Sequence, residues 1–272
     1  MHPLLCTLEY WLVKHPKILN FTWSQGETPG SSLNFLTLTI LSYLSLTYLL
    51  SHHHIPSIGP HILKPITAVH NLTLLLFSLI MALGCTLSIF SHTPTIHHFI
   101  CFPPHTPPSG PLFFWAYIFY LSKILEYIDT LLIILSESMI RRLTFLHVYH
   151  HAMVVIMCYL WLHTSQSMFP LMLVTNASVH VIMYTYYLLC ALGVRVRPRW
   201  KQLVTDCQIL QFFSSIGIMS LVFYYHFNGG SGGCSGIWGW CFSSVFITSL
   251  LVLFIDFYSK NYSISSAKTK VA

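Results

Sequence analysis

Three histidines at helical spacing are the residues of this chain best suited to chemistry. His147, His150 and His151 lie within the apolar stretch from Phe145 to Leu162, which is long enough to cross a bilayer. On an α-helix, positions i, i+3 and i+4 share one face, so the three imidazoles point the same way. Ionisable side chains at membrane depth are costly to keep and by default indicate a functional site. The pattern predicts a membrane enzyme.

The composition also indicates a membrane protein. Of the 272 residues, 54% are hydrophobic and 7% are charged, against roughly 25% charged residues in soluble domains. The mean hydropathy is +0.65. This length suits one membrane bundle without a separate soluble domain.

Seven segments are long and apolar enough to cross a bilayer as helices, for which roughly 20 apolar residues are needed. The predicted spans are Leu33–Leu50, Ile66–Phe90, Leu112–Leu135, Phe145–Leu162, Phe169–Cys190, Leu203–His226 and Ile237–Tyr258. Stretches rich in proline, glycine or charge separate them, as expected of loops. The predicted fold is an all-α integral membrane protein with seven transmembrane helices.

The basic residues orient this predicted bundle. One alternating set of loops, together with the C-terminal tail, holds ten Lys and Arg residues, whereas the opposite set holds only Lys14 and Lys17. Such an excess marks the cytosolic side of a membrane protein. We therefore predict one membrane domain over 1–272, with a lumenal or interfacial N-terminus over 1–32, a seven-span bundle over 33–258 and a cytosolic tail over 259–272. The net charge of +6 suits anionic headgroups or an anionic substrate.

Further polar residues fall at the same predicted membrane depth as the histidines. The third span carries Lys123, Glu126 and Asp129, and the fifth carries Asn176 and His180. The residues that continue this pattern are Tyr184 and Tyr187 in the fifth span and Gln208 and Gln211 in the sixth. The pattern predicts a chamber that opens to the cytosol and has apolar walls. A simpler interpretation also stands for Lys123 and Glu126, which could form an i,i+3 ion pair that only neutralises both charges.

Imidazole can ligate a metal, move protons or accept an acyl group as a nucleophile. The metal interpretation is the main rival, because H-x-x-H-H clusters also occur in membrane di-iron desaturases and hydroxylases, which need several such boxes. The chain has 17 histidines but one H-x-x-H-H. His92, His97 and His98 come nearest to a second box, yet their spacing differs and they lie across the predicted bilayer. We expect no metal. A seven-span receptor or transporter is a further alternative.

Four motifs carry a resemblance to a known family. They are Lys123-x-x-Glu126-x-x-Asp129-Thr130, His147-x-x-His150-His151, Asn176-x-x-x-His180-x-x-Met183-Tyr184-x-Tyr186-Tyr187 and Thr205-x-x-Gln208-x-x-Gln211. In order and spacing they resemble the signatures of the ELO family of fatty-acid elongases. One motif alone would be weak evidence, whereas four in register are specific. The resemblance covers the chain from the second predicted span to the seventh.

The resemblance implies the condensing step of very-long-chain fatty-acid elongation. A long-chain acyl-CoA and malonyl-CoA would give 3-oxoacyl-CoA, CO2 and CoA, the reaction of a 3-oxoacyl-CoA synthase, which is an acyltransferase. His150 would be the nucleophile that forms an acyl-imidazole, and His147 and His151 would orient it and handle protons. His180 and Asn176 would polarise the thioester carbonyl and stabilise the enolate. No cofactor would be needed.

The resemblance also implies how the substrates bind. Spans two to seven would enclose a tunnel for the acyl tail. The candidate substrate-binding residues are Lys123, Glu126, Asp129, Tyr184, Tyr187, Gln208, Gln211, Arg199 and Lys201. The last two belong to a basic cytosolic mouth that suits the phosphates of CoA, although the positive-inside rule explains them without a ligand. Further partners would be membrane lipids and the ketoreductase, dehydratase and enoyl reductase of the cycle. Nucleic acid is not expected, and homo-oligomerisation is left open.

Two cysteines are placed to form a disulfide. Cys101 and Cys234 are the two that lie in predicted lumenal loops between spans, where an oxidising compartment permits a bridge. The sequence Lys268-Thr269-Lys270-Val271-Ala272 resembles the cytosolic K-x-K-x-x retrieval signal of endoplasmic reticulum membrane proteins. The expected location is the endoplasmic reticulum membrane, with a lumenal N-terminus and a cytosolic C-terminus.

Overall fold

The computed structural model describes residues 3–53, 56–92, 100–137, 142–228 and 232–263. These ranges are helical, apart from loops and one isolated antiparallel bridge between Thr22 and Ser109. The helices are α1 (Pro3–Glu9), α2 (Pro16–Leu19), α3 (Leu33–His52), α4 (Pro60–His92), α5 (Pro111–Leu125), α6 (Tyr127–Ile134), α7 (Phe145–His163), α8 (Phe169–Ala191), α9 (Pro198–Asn228) and α10 (Ile237–Tyr258), with short π-helical turns at Tyr10–Lys14 and Ser259–Ser263.

Within the described ranges, six helices are long and apolar enough to cross a membrane: α3, α4, α7, α8, α9 and α10. A multi-pass membrane protein is thereby confirmed. The boundaries of α7, α8 and α10 agree with the predicted spans to within one residue. Helix α4 begins six residues before the predicted span and α9 begins five residues before, each at a proline. Proline suits the first turn of a helix because its missing N–H would have no helical partner there.

The third predicted span, Leu112–Leu135, is not one helix. It is broken at Glu126 into α5, of 15 residues, and α6, of 8 residues. At the break the N–H of Asp129 donates to the carbonyl of Glu126 at 3.0 Å, three residues back, which is a tighter turn than that of an α-helix. Neither piece reaches the roughly 20 residues that a crossing requires. The continuous apolar run conceals this break.

Six helical segments form a closed ring. Helix α4 packs on α5, α5 on α7, α7 on α10, α10 on α9, α9 on α8, and α8 returns to α4. Helix α3 lies outside the ring and packs on α6 and α7. The interior is filled by large buried side chains from several helices, among them Phe119, Trp161, Phe169 and Phe246. Each of the predicted spans two to seven therefore contributes one helix to the ring, and the third span contributes α5.

Helices α4 and α5 approach each other closely at Gly84. A Cβ atom at this position would lie 2.2 Å from the indole ring of Trp115, so only glycine fits without movement. The same indole donates a hydrogen bond from Nε1 to the carbonyl of Leu12 at 3.0 Å. The N-terminal segment is thus attached to the ring through Trp115.

One end of the ring is closed by three loops. A disulfide joins Cys101 and Cys234, whose Cα atoms lie 4.9 Å apart, in the pairing expected from the sequence. The Ser167 hydroxyl accepts from the N–H of Phe102 at 3.0 Å and donates to the carbonyl of Ser235 at 2.9 Å. The N–H of Ser235 in turn donates to the carbonyl of Phe102. Covalent and hydrogen bonds therefore tie the loops before α5, α8 and α10 together.

Candidate functional site

The histidine face of α7 lies on the interior of the bundle. Thr144 caps the helix, its hydroxyl accepting from the N–H of His147 at 3.3 Å. The rings of His147 and His151 lie 4.4 Å apart between centroids, and those of His150 and His151 lie 5.2 Å apart. His147 Nε2 contacts the Thr130 hydroxyl at 2.8 Å. The structure thus groups the three imidazoles as their spacing predicts.

Of the three histidines, His150 lines an internal cavity. The polar side chains of the lining are those of His150, Asn176 and Gln211. The remaining lining residues are apolar: Phe119, Val154, Met157, Trp161, Met172, Phe212, Phe246, Ile247 and Leu250. The cavity volume is about 20 Å³, comparable with the space that holds one water molecule. The site therefore has a polar end and apolar walls, and among the described residues this cavity is too small to hold an acyl tail.

His180 on α8 is held in one tautomer by its two partners. Its Nδ1 lies 3.0 Å from the backbone carbonyl of Asn176, which can only accept, so Nδ1 carries the proton. Its Nε2 is then the acceptor, and it lies 3.1 Å from Lys123 Nζ, which donates. Both ring nitrogens are thus engaged within the protein.

Lys123 and Glu126 form a buried ion pair beside this ring. The Nζ to Oε1 distance is 2.6 Å, and the two residues are 1% and 2% exposed. The ammonium also lies 4.5 Å from the centroid of Phe119. The i,i+3 ion pair considered from the sequence therefore forms, and it extends to His180.

Asn176 is a polar side chain of the cavity with one buried atom that lacks a partner. Its Nδ2 is 3.5 Å from Gln211 Oε1, at the limit of a hydrogen bond, and its buried Oδ1 has no protein partner. Buried amides are normally paired, so an unpaired one needs an explanation. The side chain faces the cavity that His150 lines. A bound carbonyl or enolate oxygen only accepts, so it would pair with Nδ2, whose bond to Gln211 is long, whereas the unpaired Oδ1 would need a donor.

Asp129 on α6 connects two neighbouring helices. Tyr184 on α8 donates its hydroxyl to Oδ2 at 2.9 Å, and His70 Nε2 on α4 lies 3.0 Å from Oδ1. His70 is not among the site residues predicted from the sequence. An ionisable residue inside the second predicted span was the signal that could have identified it.

The other predicted binding residues contact other groups or are exposed. Gln208 Nε2 contacts the sulfur of Met183 at 3.5 Å, and Tyr187 is 38% exposed with its ring near that of Tyr184. Arg199 and Lys201 are exposed near the start of α9. No hydrogen bond or ion pair joins these two to the histidine face in the described part of the chain, so their phosphate role stays a prediction.

Among the described residues, no group of three His, Cys, Asp or Glu side chains is arranged to hold a metal ion. His97 and His98 fall outside the described ranges. The expectation that the protein needs no metal and no other cofactor stays a prediction.

Comparison with known proteins decides the family. The sequence profile described as ELO: GNS1/SUR4 family matches residues 28–270. The chain belongs to the ELO family. This ELO protein is similar to fatty acid elongase A of Dictyostelium discoideum, with 34% identity over 258 residues that cover 92% of this chain and 91% of that one. It is also similar to fatty acid elongase 3-like of Arabidopsis thaliana, with 28% identity over 286 residues, 96% and 93% of the two chains.

Other relatives of this ELO protein have related names. Putative fatty acid elongase 2 of Schizosaccharomyces pombe is 33% identical over 261 residues, which cover 91% of this chain and 68% of that protein. The family resemblance inferred from four motifs is thereby confirmed. The match from residue 28 onward also includes α3, which the motif resemblance left out.

Proposed function

We propose that this ELO protein is a fatty-acid elongase that condenses a long-chain acyl-CoA with malonyl-CoA to give 3-oxoacyl-CoA, CO2 and CoA. It would thus be a 3-oxoacyl-CoA synthase of very-long-chain fatty-acid biosynthesis. The observation that carries the proposal is the cavity in which His150 and Asn176 form the polar end of an otherwise apolar lining. A thioester carbonyl suits the polar end, and an acyl chain suits the walls.

In the first step, His150 acts as a nucleophile. A ring nitrogen of His150 attacks the thioester carbonyl, the bond between carbon and sulfur breaks, and the CoA thiolate leaves. The proton on the other ring nitrogen is released to the thiolate, which gives a neutral acyl-imidazole and CoA. Neither nitrogen of His150 is hydrogen-bonded to the residues that the structure describes, so a lone pair is available for attack. The His151 ring packs against the His150 ring, and the His147 ring packs against that of His151.

In the second step, malonyl-CoA loses CO2 and its enolate attacks the acyl carbonyl. The His150 imidazolate leaves and takes one proton from solvent water, which restores the neutral ring, and 3-oxoacyl-CoA is released. We assign the Nδ2 donor of Asn176 to the thioester and enolate oxygens, because the side chain lines the cavity and the bond from Nδ2 to Gln211 is at the limit of a hydrogen bond. His180 donates from Nδ1 to the backbone carbonyl of Asn176 and accepts from Lys123 at Nε2, so neither ring nitrogen is free. Its role is therefore mainly to position Asn176 and Lys123.

The membrane arrangement is also part of the proposal. Helices α5 and α6 together form the third crossing, which brings the number of spans to seven. The ring widens to admit the acyl tail, so the narrow cavity becomes a tunnel. The location is the endoplasmic reticulum membrane, with a lumenal N-terminus and a cytosolic C-terminus. The retrieval signal at Lys268 and Lys270 falls outside the described residues, and the elongation-cycle enzymes are the expected partners.

The test is a half-reaction with purified protein. Incubation with acyl-CoA alone should release one CoA per chain and add one acyl mass, which peptide mapping should locate on His150. His150→Ala should remove the adduct and the condensation, whereas His163→Ala, at the exposed far end of α7, should not. The proposal would be overturned if no adduct formed and the His150→Ala protein still turned over.

A further inference from the structure

Helix α3 buries few residues and lies outside the ring. Its buried side chains are those of Leu36, Tyr43 and Thr47, which form one stripe along the helix. Tyr43 is 5% exposed, whereas Tyr48 on the same helix is 62% exposed. A tyrosine hydroxyl buried at membrane depth needs a hydrogen-bond partner, because an unpaired polar group is costly in that setting. The hydrogen-bond partner of the Tyr43 hydroxyl therefore indicates what this tyrosine does.

The Tyr43 hydroxyl lies 3.0 Å from the Thr130 hydroxyl, which lies 2.8 Å from His147 Nε2. The Tyr43 ring stacks on Tyr127, with centroids 4.0 Å apart and planes inclined by 16°. Thr130 is 1% exposed. Three helices, α3, α6 and α7, thus contribute one residue each to a buried chain that ends on the histidine face.

We propose that Tyr43 is a positioning residue of the histidine site, which acts through Thr130 to fix the ring orientation and the tautomer of His147. Of the two tests below, only the measurement of activity rests on the proposed function. Helix α3, which lies outside the ring, would thereby help to position the histidine face of α7 inside the ring.

The direction of the chain follows from its donors. Each hydroxyl has one proton, so Thr130 can donate to Tyr43 or to His147 but not to both. A phenol is a more acidic donor than an aliphatic hydroxyl, so Tyr43 donates to Thr130. Thr130 then donates to His147 Nε2, and the ring proton of His147 resides on Nδ1. The Thr130 oxygen has two lone pairs, and the hydrogen bond that it accepts from Tyr43 polarises its O–H and strengthens the donation to His147. Without the Tyr43 hydroxyl this strengthening is lost, so Thr130 accepts from His147 more readily and both tautomers become accessible.

A merely structural role predicts a different outcome when the hydroxyl is removed. Tyr43→Phe keeps the ring that stacks on Tyr127 and leaves the Thr130 contact with His147 in place. A residue that serves only packing would therefore leave the turnover per active site unchanged. A residue that selects the tautomer should lower kcat and leave KM nearly constant, because substrate binding at the cavity is not altered.

The experiment compares Tyr43→Phe with Tyr48→Phe, the matched exposed tyrosine of the same helix. We expect Tyr43→Phe to lower kcat about tenfold to a hundredfold, with KM within about twofold. Tyr48→Phe should behave as the parent protein. Thr130→Val should lower kcat as Tyr43→Phe does. Thr130→Ser, which keeps the hydroxyl, should have a kcat close to that of the parent. The double variant Tyr43→Phe with Thr130→Val should be no slower than Thr130→Val, because both residues act through one chain of hydrogen bonds. Active sites are counted by the burst of CoA released from acyl-CoA.

A second readout does not depend on catalysis. Nitrogen NMR of protein labelled at histidine should show His147 with its proton on Nδ1 in the parent and a mixture of tautomers in Tyr43→Phe. A Tyr43→Phe protein with the parent kcat per active site and the parent His147 spectrum would overturn the proposal. If the parent shows no acyl transfer at all, the proposed function fails, and the spectra alone decide the role of Tyr43.

Discussion

The ammonium of Lys123 contacts Glu126 and His180 at the same time, at 2.6 Å from the carboxylate and 3.1 Å from Nε2 of the imidazole. A lysine that is 1% exposed can stay charged at this depth because the carboxylate compensates it. The contact joins α5 to α8 across the interior. Lys123 and Glu126 therefore use their polar atoms on one another and on His180, and direct contact with substrate stays a prediction for both.

Breaking this ion pair should destabilise the protein. Lys123→Met leaves the Glu126 carboxylate buried without compensation, which costs about 3 to 5 kcal/mol for such pairs. The double variant Lys123→Met with Glu126→Leu should recover much of that loss, since no charge remains. Thermal unfolding in detergent measures both. A single variant as stable as the parent would show that water or another group compensates Glu126.

The disulfide between Cys101 and Cys234 should contribute to stability. It closes a segment of 133 residues, and loss of a native bridge typically costs about 2 to 5 kcal/mol. Replacing both cysteines by serine should therefore lower the unfolding temperature, and a reductant should lower that of the parent alone. Cys6→Ser, at an exposed free cysteine, is the control. Recovery of Cys101 and Cys234 as separately alkylated peptides from unreduced protein would contradict the bridge.

Trp161 should limit the length of the acyl chain. It lies eleven positions after His150 on α7, about 16 Å along the helix axis, and lines the far part of the same cavity. Trp161→Ala removes the indole that stacks on Phe119 and should shift the products of an elongase-deficient yeast host towards longer fatty acids. Trp238→Ala, at a residue that is 81% exposed, should leave the profile unchanged. Identical profiles for the two variants would argue against a tunnel along α7.

Metal removal should leave activity intact. Acyl transfer by imidazole needs no metal, and the sequence holds one H-x-x-H-H cluster. Elemental analysis of purified protein should therefore find no stoichiometric iron or zinc, and EDTA should not change turnover. Two irons per chain, lost together with activity on chelation, would instead favour a di-iron lipid oxidase.

Much of the fold could be predicted because length and apolarity alone define a membrane helix. The interval Phe145–Leu162, for example, differs from helix α7 by one residue at its end. The break at Glu126 could not be predicted, because apolar residues continue on both sides of it. Helical periodicity likewise predicted the grouping of His147, His150 and His151, which belong to one helix.

Contacts between helices were harder to predict. His70 and Tyr43 lie in predicted apolar spans, and their partners Asp129 and Thr130 lie on another helix. Which helices are neighbours depends on the order of packing around the ring, and hydropathy carries no information on that order. The same limit applies to the contact between Lys123 and His180.

The order of helices around the ring has a consequence for biosynthesis. Along the chain, α4, α5 and α7 pack in sequence, whereas the next helix, α8, packs back on α4, and α9 packs on α8. The place between α7 and α9 is therefore open until α10 occupies it. Synthesis proceeds from the N-terminus, and α10 is the last of these helices to leave the ribosome. Cys234, which precedes α10 directly, emerges at almost the same moment. The wall around His150 is therefore completed, and the disulfide becomes available, only after the other five helices of the ring have been synthesised.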